Sequence, residues 1–301
     1  MFIYLDEGFI HFSQEQKDYI EKLGYQIQNE PDLQTEILVS SRGSDLKKVE
    51  KLGQLKVIQL MSAGYDFFDV DAIKARDIQI CNARGVYSEA IAEFVVARIL
   101  EIYQKLPFIN KLQSDKEWFR DFELQTISGL KGAILGTGSI AQETGKLLKV
   151  FGSHIDGYNT SGNKPTDDFD ECYKLKEFDN LASSYDFVVI TLPLNEHTKH
   201  YFNKERLLSL KPEAVLVNIA RGPIVSEADL IDVLDQHLDA VILDVFENEP
   251  LSNESPLWNH PKTFISPHIS FRNIKYKENL IDLILENLTL YSKGKELLNQ
   301  I

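Results

Sequence analysis

Three ionisable residues stand just beyond three apolar runs in the second half of the chain: Arg221 in VNIARGPIV, Glu249 in ILDVFENEP and His268 in FISPHIS. Each run reads as a strand, and open α/β sheets place their ligand crevice beyond the carboxyl ends of the strands. An arginine there offers a planar fork, charged at any working pH, that grips a carboxylate or a carbonyl oxygen. A histidine titrates near neutrality, so it gives a proton in one direction and takes it back in the other. A glutamate touching that histidine would favour the imidazolium and fix the ring's orientation. These are the needs of keto-acid reduction, in which a redox cofactor brings the hydride and the protein supplies a clamp and a proton donor. Each residue alone has a plainer explanation: a surface ion pair for Arg221, an ordinary acid for Glu249, a loop hydrogen-bonder for His268 after Pro267. The weight comes from finding all three behind a dinucleotide-type turn.

That turn is GTGSIA, formed by Gly136, Thr137, Gly138, Ser139, Ile140 and Ala141 between an apolar run and a helix-period segment. The first glycine permits the tight bend, the second lets backbone approach a pyrophosphate, and the small third residue lets helix pack on strand. The amides of Ser139 and Ile140, at the positive end of a helix, would meet the phosphates. Cofactor choice is read at the end of the next strand, where an acid would bind the ribose hydroxyls of NAD. Here that position is Asn159, followed by Thr160 and Ser161, all neutral donors, with Lys164 adding positive charge. The pattern favours NADP(H), with NAD(H) still possible. Asn159 also suits the start of a turn, and the two readings are compatible.

The surrounding elements alternate between short apolar strands and helix-period segments, which predicts parallel sheets covered by helices on both faces. FIYL, YQIQ, EILVSS ending near Arg42 and Gly43, KVIQLM and IQIC read as strands of a small α/β unit. One long helix spans Ser88 to Gln104, followed by a loop-rich stretch around Trp118 and Phe119. Then comes the βαβ unit of the glycine turn, and after it the strands DFVVITLP, AVLVNIA, AVILDV and TFISP. Helix-period residues Leu280, Ile284 and Leu288 predict a terminal helix that returns to the N-terminal unit. The acidic patch Asp167 to Glu171 reads as a solvated loop. The predicted domains are residues 1–90 with 271–301, for substrate, and 91–270, for the dinucleotide.

Composition excludes several partners. A formal charge of -14, from 46 acidic and 32 basic side chains, argues against nucleic acid, whose binding draws on Lys and Arg. Cys81 and Cys172 stand far apart outside any CxxC pattern, so neither a disulfide framework nor a metal site is expected, and a reducing cytoplasm is the natural compartment. No run approaches the ~20 apolar residues of a membrane span.

Taken in order, SAGYD (62–66), the glycine turn, TLPLNEHT (191–198), VNIARGPIV (217–225), DVFENEP (244–250) and SPHIS (266–270) resemble the D-isomer-specific 2-hydroxyacid dehydrogenases over nearly the whole chain. The resemblance implies a Rossmann-type doubly wound dinucleotide domain and a smaller flavodoxin-like substrate domain, with an active-site cleft closed by hinge bending. It implies Arg221 as the substrate-binding arginine, Glu249 as the carboxylate partner and His268 as the acid/base. It further implies Ala63 and Gly64 as amide donors to the substrate carboxylate, Asp244 on the nicotinamide side, and Leu192, Pro193, Thr198 and Ile219 along the cofactor groove. A small 2-keto or 2-hydroxy acid is the implied substrate, and a homodimer through the larger domain the implied assembly, with the helix from Ser88 and the arm around Trp118 as contacts. The chain departs from the pattern at Asn159, at Ser270 and Phe271, and at Arg84 with Tyr87, the last sites being expected to border the substrate pocket. The same architecture also serves non-catalytic, cofactor-sensing corepressors; the intact Arg, Glu and His argue against that alternative. Formate oxidation would not need an acid beside the histidine, so Glu249 disfavours it.

Overall fold

The computed structural model describes residues 1–41, 49 and 51–301. The chain divides into two compact units, Met1–Tyr87 with Asn273–Ile301, and Ser88–Arg272.

In the smaller unit, β1 (Phe2–Leu5), β2 (Gln26–Gln28), β3 (Thr35–Ser40), β4 (Val57–Leu60) and β5 (Gln79–Cys81) form a parallel sheet in the order β2-β1-β3-β4-β5. This is the flavodoxin-type order. Helix α1 (Gln14–Lys22) opens on a capping box, in which Ser13 and Gln16 satisfy each other's amides, and α2 (Val70–Lys74) is capped by Asp69. Strand β3 ends at Ser40; Arg42 and Gly43 lie outside the described residues. The C-terminal helix Tyr276–Ser292 joins this unit, with Leu280, Ile284 and Leu288 buried. Its Asn287 donates to Gln59 at 2.6 Å, and its Leu288 carbonyl accepts the hydroxyl of Tyr25 at 2.7 Å. Those two buried bonds fix the returning helix to the sheet it covers.

The larger unit opens with α3 (Ser88–Tyr103) and α4 (Leu106–Asp115). It continues through β6 (Lys131–Leu135), α5 (Ser139–Val150), β7 (His154–Asn159), β8 (Glu171–Lys174), β9 (Phe187–Ile190), α6 (Lys204–Ser209), β10 (Val215–Asn218), α7 (Glu227–His237), β11 (Ala240–Leu243) and β12 (Thr263–Ile265). The seven strands are parallel in the order β12-β11-β10-β9-β6-β7-β8. Strand order therefore reverses between β6 and β9, the switch point at which a doubly wound sheet opens its crevice. Strands β9, β10 and β11 are buried along their whole length, which explains their unbroken apolar sequences.

Two elements differ from the sequence reading. Glu171 opens strand β8 rather than ending a solvated loop. This edge strand is held to β7 by backbone pairing and keeps its end residues exposed, so its sequence, ECYK, carries little apolar signal. Helix α4 lies where a loop-rich stretch was expected, and none of its residues is fully buried.

Candidate active site

The glycine turn fits a dinucleotide. Gly136 has φ 104°, and a Cβ there would stand 2.3 Å from Thr191 Oγ1, so no side chain is admitted. Gly138 caps α5 with no side-chain hydrogen bond, and a Cβ on it would meet nothing within 4 Å. The first amides of α5, at Ser139 and Ile140, have no acceptor within the helix. Thr137 is pinned by Gln142 Nε2, which donates to its carbonyl at 2.9 Å, and Ala141 is fully buried against the sheet. Ser88 Oγ donates to Ser139 Oγ at 2.9 Å and ties α3 to the start of α5.

At the end of β7, Asn159 organises the loop that follows. Its Oδ1 accepts the amides of Ser161 at 3.0 Å and Gly162 at 2.6 Å, while its Nδ2 donates to Thr137 Oγ1 at 3.1 Å and to the Asn163 carbonyl at 2.8 Å. Asn159 thus joins the adenosine-side loop to the glycine turn. Ser161 Oγ is committed to the same loop, donating to Asn159 and accepting from Asn163. Lys164 lies 3.5 Å from the exposed Asp167 carboxylate. Thr160 is exposed.

Leu192 and Ile219 are nearly buried, and Leu192 belongs to the apolar core of the larger unit. Pro193 is exposed, and its carbonyl accepts the Thr198 hydroxyl at 2.6 Å. Thr198 also receives the Asn195 amide at 2.8 Å, so it shapes the loop after β9 from within. In the smaller unit, the Ala63 carbonyl accepts from Asn82 at 2.8 Å and the Gly64 carbonyl from Ser62 at 2.7 Å, which fixes the bend after β4. The Arg84 carbonyl accepts from Asn299 at 2.8 Å, and the Tyr87 hydroxyl donates to the Met61 carbonyl.

The three ionisable residues are presented by the ends of β10, β11 and β12. Arg221 follows a backbone held by Asn218, which accepts the Ala220 amide at 3.1 Å and donates to the Arg221 carbonyl at 2.9 Å. Its Nη1 donates to the Ala220 carbonyl at 2.6 Å. Gly222 packs directly on the next loop, since a Cβ there would fall 1.8 Å from the Phe246 carbonyl carbon. No other residue fits, so the arginine's loop and the glutamate's loop are held in register. Glu249 then accepts the Phe246 amide at 3.2 Å through Oε1 and meets His268 Nδ1 at 2.8 Å through Oε2. The structure brings this acid and this imidazole into direct contact. Phe271 stands edge-on to the His268 ring, with centroids 6.3 Å apart.

His268 has φ 53°, a left-handed conformation uncommon outside glycine. The loop that carries it is held by Asp244, whose fully buried carboxylate accepts from Ser266 Oγ at 2.5 Å, Ile269 N at 2.9 Å and Ser270 N at 3.0 Å. Sequence reasoning singled out Asp244 for the cofactor side and missed this bracing contact with the histidine loop. Ser266 and Asn218 were not singled out at all. The signal available was a small polar residue at the end of an apolar strand, which is too common to be diagnostic.

A glycine turn fitted for a diphosphate at the switch point of a doubly wound sheet, with an acid-paired histidine beyond its strands, defines a nicotinamide-dinucleotide oxidoreductase. Residues 96–270 match the family model described as D-isomer specific 2-hydroxyacid dehydrogenase, NAD binding domain. The chain is 30% identical over 253 residues to a hydroxypyruvate reductase of Blautia hydrogenotrophica, covering 81% of this chain and 78% of the relative. It is 30% identical over 257 residues to a glyoxylate reductase of Thermofilum pendens, covering 83% and 76%. A solved D-isomer specific 2-hydroxyacid dehydrogenase family protein from Aeromonas salmonicida superposes with a TM-score of 0.81 at 28% identity, over 100% of this chain and 98% of the other. The chain belongs to the D-isomer-specific 2-hydroxyacid dehydrogenase family. It is an NAD(P)-dependent oxidoreductase acting on small 2-keto and 2-hydroxy acids.

Proposed function

We propose that the protein is a cytoplasmic reductase of short 2-keto acids of the glyoxylate and hydroxypyruvate type, working with NADPH in preference to NADH. When bound, the nicotinamide supplies the hydride. Arg221 clamps the substrate and polarises its keto oxygen, and His268 delivers the proton to the developing alkoxide. The observation that carries this reading is the 2.8 Å contact between His268 Nδ1 and Glu249 Oε2. It commits Nδ1 to the acid, fixes the orientation of the ring, and leaves Nε2 as the nitrogen that meets the substrate. The Phe271 ring beside His268 favours a short substrate chain, in keeping with relatives named as hydroxypyruvate and glyoxylate reductases. The amides of Ala63 and Gly64 are proposed as ligands for the substrate carboxylate. Leu192, Pro193, Thr198 and Ile219 are proposed to border the cofactor. The neutral loop at Asn159, Thr160 and Ser161 supports NADPH, because an acid there would repel a 2′-phosphate.

A homodimer is part of the same proposal. Helix α4 and the segment after it bury little of their own apolar surface, leaving Trp118, Phe119 and Phe108 exposed around an aromatic cluster with Phe122. A second copy of the chain would cover them. The cytoplasmic assignment rests on two cysteines that are unpaired, and no described helix is long and apolar enough to cross a membrane.

The test is replacement of His268 by Asn. The expected result is a fall in kcat of roughly 10²–10⁴-fold on glyoxylate or hydroxypyruvate, with NADPH affinity by fluorescence titration nearly unchanged. Turnover that survives the substitution assigns the proton to another group.

A further inference from the structure

Resting on the NADPH reading above, we infer that Lys174, at the end of the edge strand β8, is the cation that selects the 2′-phosphate of the cofactor. Register places it there: β7 and β8 run parallel with Asn159 opposite Lys174. Side chains alternate between faces along a strand, so residues two apart share a face. Tyr173 packs on Tyr158, with ring centroids 5.6 Å apart, and these two define one face. Gly157 and Cys172 define the other, where a Cβ on Gly157 would lie 2.9 Å from Cys172 Sγ and 3.0 Å from Thr137 Cγ2. Asn159 and Lys174 follow on that same face, the face that carries Thr137 of the diphosphate turn.

The loop after β7 then folds over the lysine stem. Gly162 has φ 77°, and a Cβ on it would stand 3.0 Å from Lys174 Cγ and 3.3 Å from Lys174 N. Asn159 holds Gly162 in place through the 2.6 Å bond to its amide. The stem of Lys174 therefore packs against the loop in which the acid of an NAD-binding chain would stand, and its ammonium lies three bonds beyond that contact. Its backbone amide donates to Glu177 at 2.8 Å, but among the described residues no carboxylate lies within ion-pair distance of its Nζ. Lys164, the cation suggested by sequence, is instead paired with the exposed Asp167. An ammonium without an acid partner, set beside neutral Asn159 and Thr160, is the group that gains most from a dianionic phosphate.

The experiment measures binding without turnover. Titration calorimetry with 2′,5′-ADP and with 5′-AMP is run on the wild type, Lys174→Gln, Lys174→Arg and Lys164→Gln. Lys174→Gln is expected to weaken 2′,5′-ADP by roughly tenfold or more while 5′-AMP stays within about twofold, and Lys174→Arg to retain most of the wild-type affinity. Lys164→Gln should have the smaller effect. Unchanged 2′,5′-ADP binding in Lys174→Gln, or equal losses for both ligands, overturns the assignment of Lys174. A wild type that binds 2′,5′-ADP no more tightly than 5′-AMP overturns the NADPH reading itself, and this inference with it.

Discussion

The carboxylate of Asp244 accepts the amide of Ile269 at 2.9 Å, immediately after His268 in the chain. The same carboxylate takes Ser266 Oγ on the other side of the histidine, so His268 sits in a short loop pinned at both ends. This buried brace holds the loop in which His268 has its left-handed backbone and its ring reaches Glu249. Glu249 is held in turn by the Phe246 amide, and the Phe246 backbone lies against Gly222, the residue after Arg221. Strand ends, brace and glycine contact make the three ionisable residues one mechanical unit.

Asp244→Asn tests the brace. The variant keeps one acceptor oxygen but turns an amide NH2 toward groups that are themselves donors, so at least one buried N–H or O–H loses its partner. Hydrogen bonds to charged acceptors contribute about 1.5–3 kcal/mol each, and a loss of that order is expected in urea unfolding. Activity should fall as well, because His268 is no longer held within the few tenths of an ångström that proton transfer requires. A variant with wild-type stability and wild-type kcat would show that the histidine loop holds its shape unaided.

Much of this was legible in the sequence because the signals are local. The GTGSIA turn needs Gly136 to turn and Gly138 to stay bare, and both demands are written in residue type. The fully buried strands β9, β10 and β11 announce themselves as apolar runs. Arg221, Glu249 and His268 stand out because charged residues follow such runs. What was not legible depends on partners distant in the chain. Asp244 braces Ile269 and Ser270, and nothing near Asp244 in sequence reveals that. Lys174 acquires its meaning only from its register opposite Asn159, on a strand too polar to be read as one.

Asn159→Asp separates loop shape from phosphate recognition. The aspartate keeps the oxygen that accepts the Ser161 and Gly162 amides, loses the donors to Thr137 and Asn163, and adds a negative charge. NADPH affinity should fall more than NADH affinity, shifting the ratio of the two dissociation constants by at least roughly tenfold, or 1.4 kcal/mol. Equal losses for both coenzymes would mean that Asn159 serves only to tie the loop to the glycine turn.

A pH dependence follows from Glu227, at the start of α7. Burial raises its pKa above the ordinary glutamate range, and the nearby Glu247 carboxylate adds to the rise, while the hydrogen bond from the Glu247 amide only partly offsets them. The folded protein therefore holds this proton more tightly than the unfolded chain. Its contribution to stability is fully present below the unfolded pKa of about 4.3 and is lost as pH rises through the higher folded value. Glu227→Gln keeps an oxygen for the Glu247 amide and removes the charge, so the variant should gain on the wild type as pH climbs from 4 toward 7. Urea midpoints measured across that range check the sign; a difference between the two proteins that does not change with pH would mean that the acid is as well solvated folded as unfolded. Because Glu247 lies in the loop that presents Glu249, kcat measured on the same samples shows whether relieving this repulsion also reaches the site.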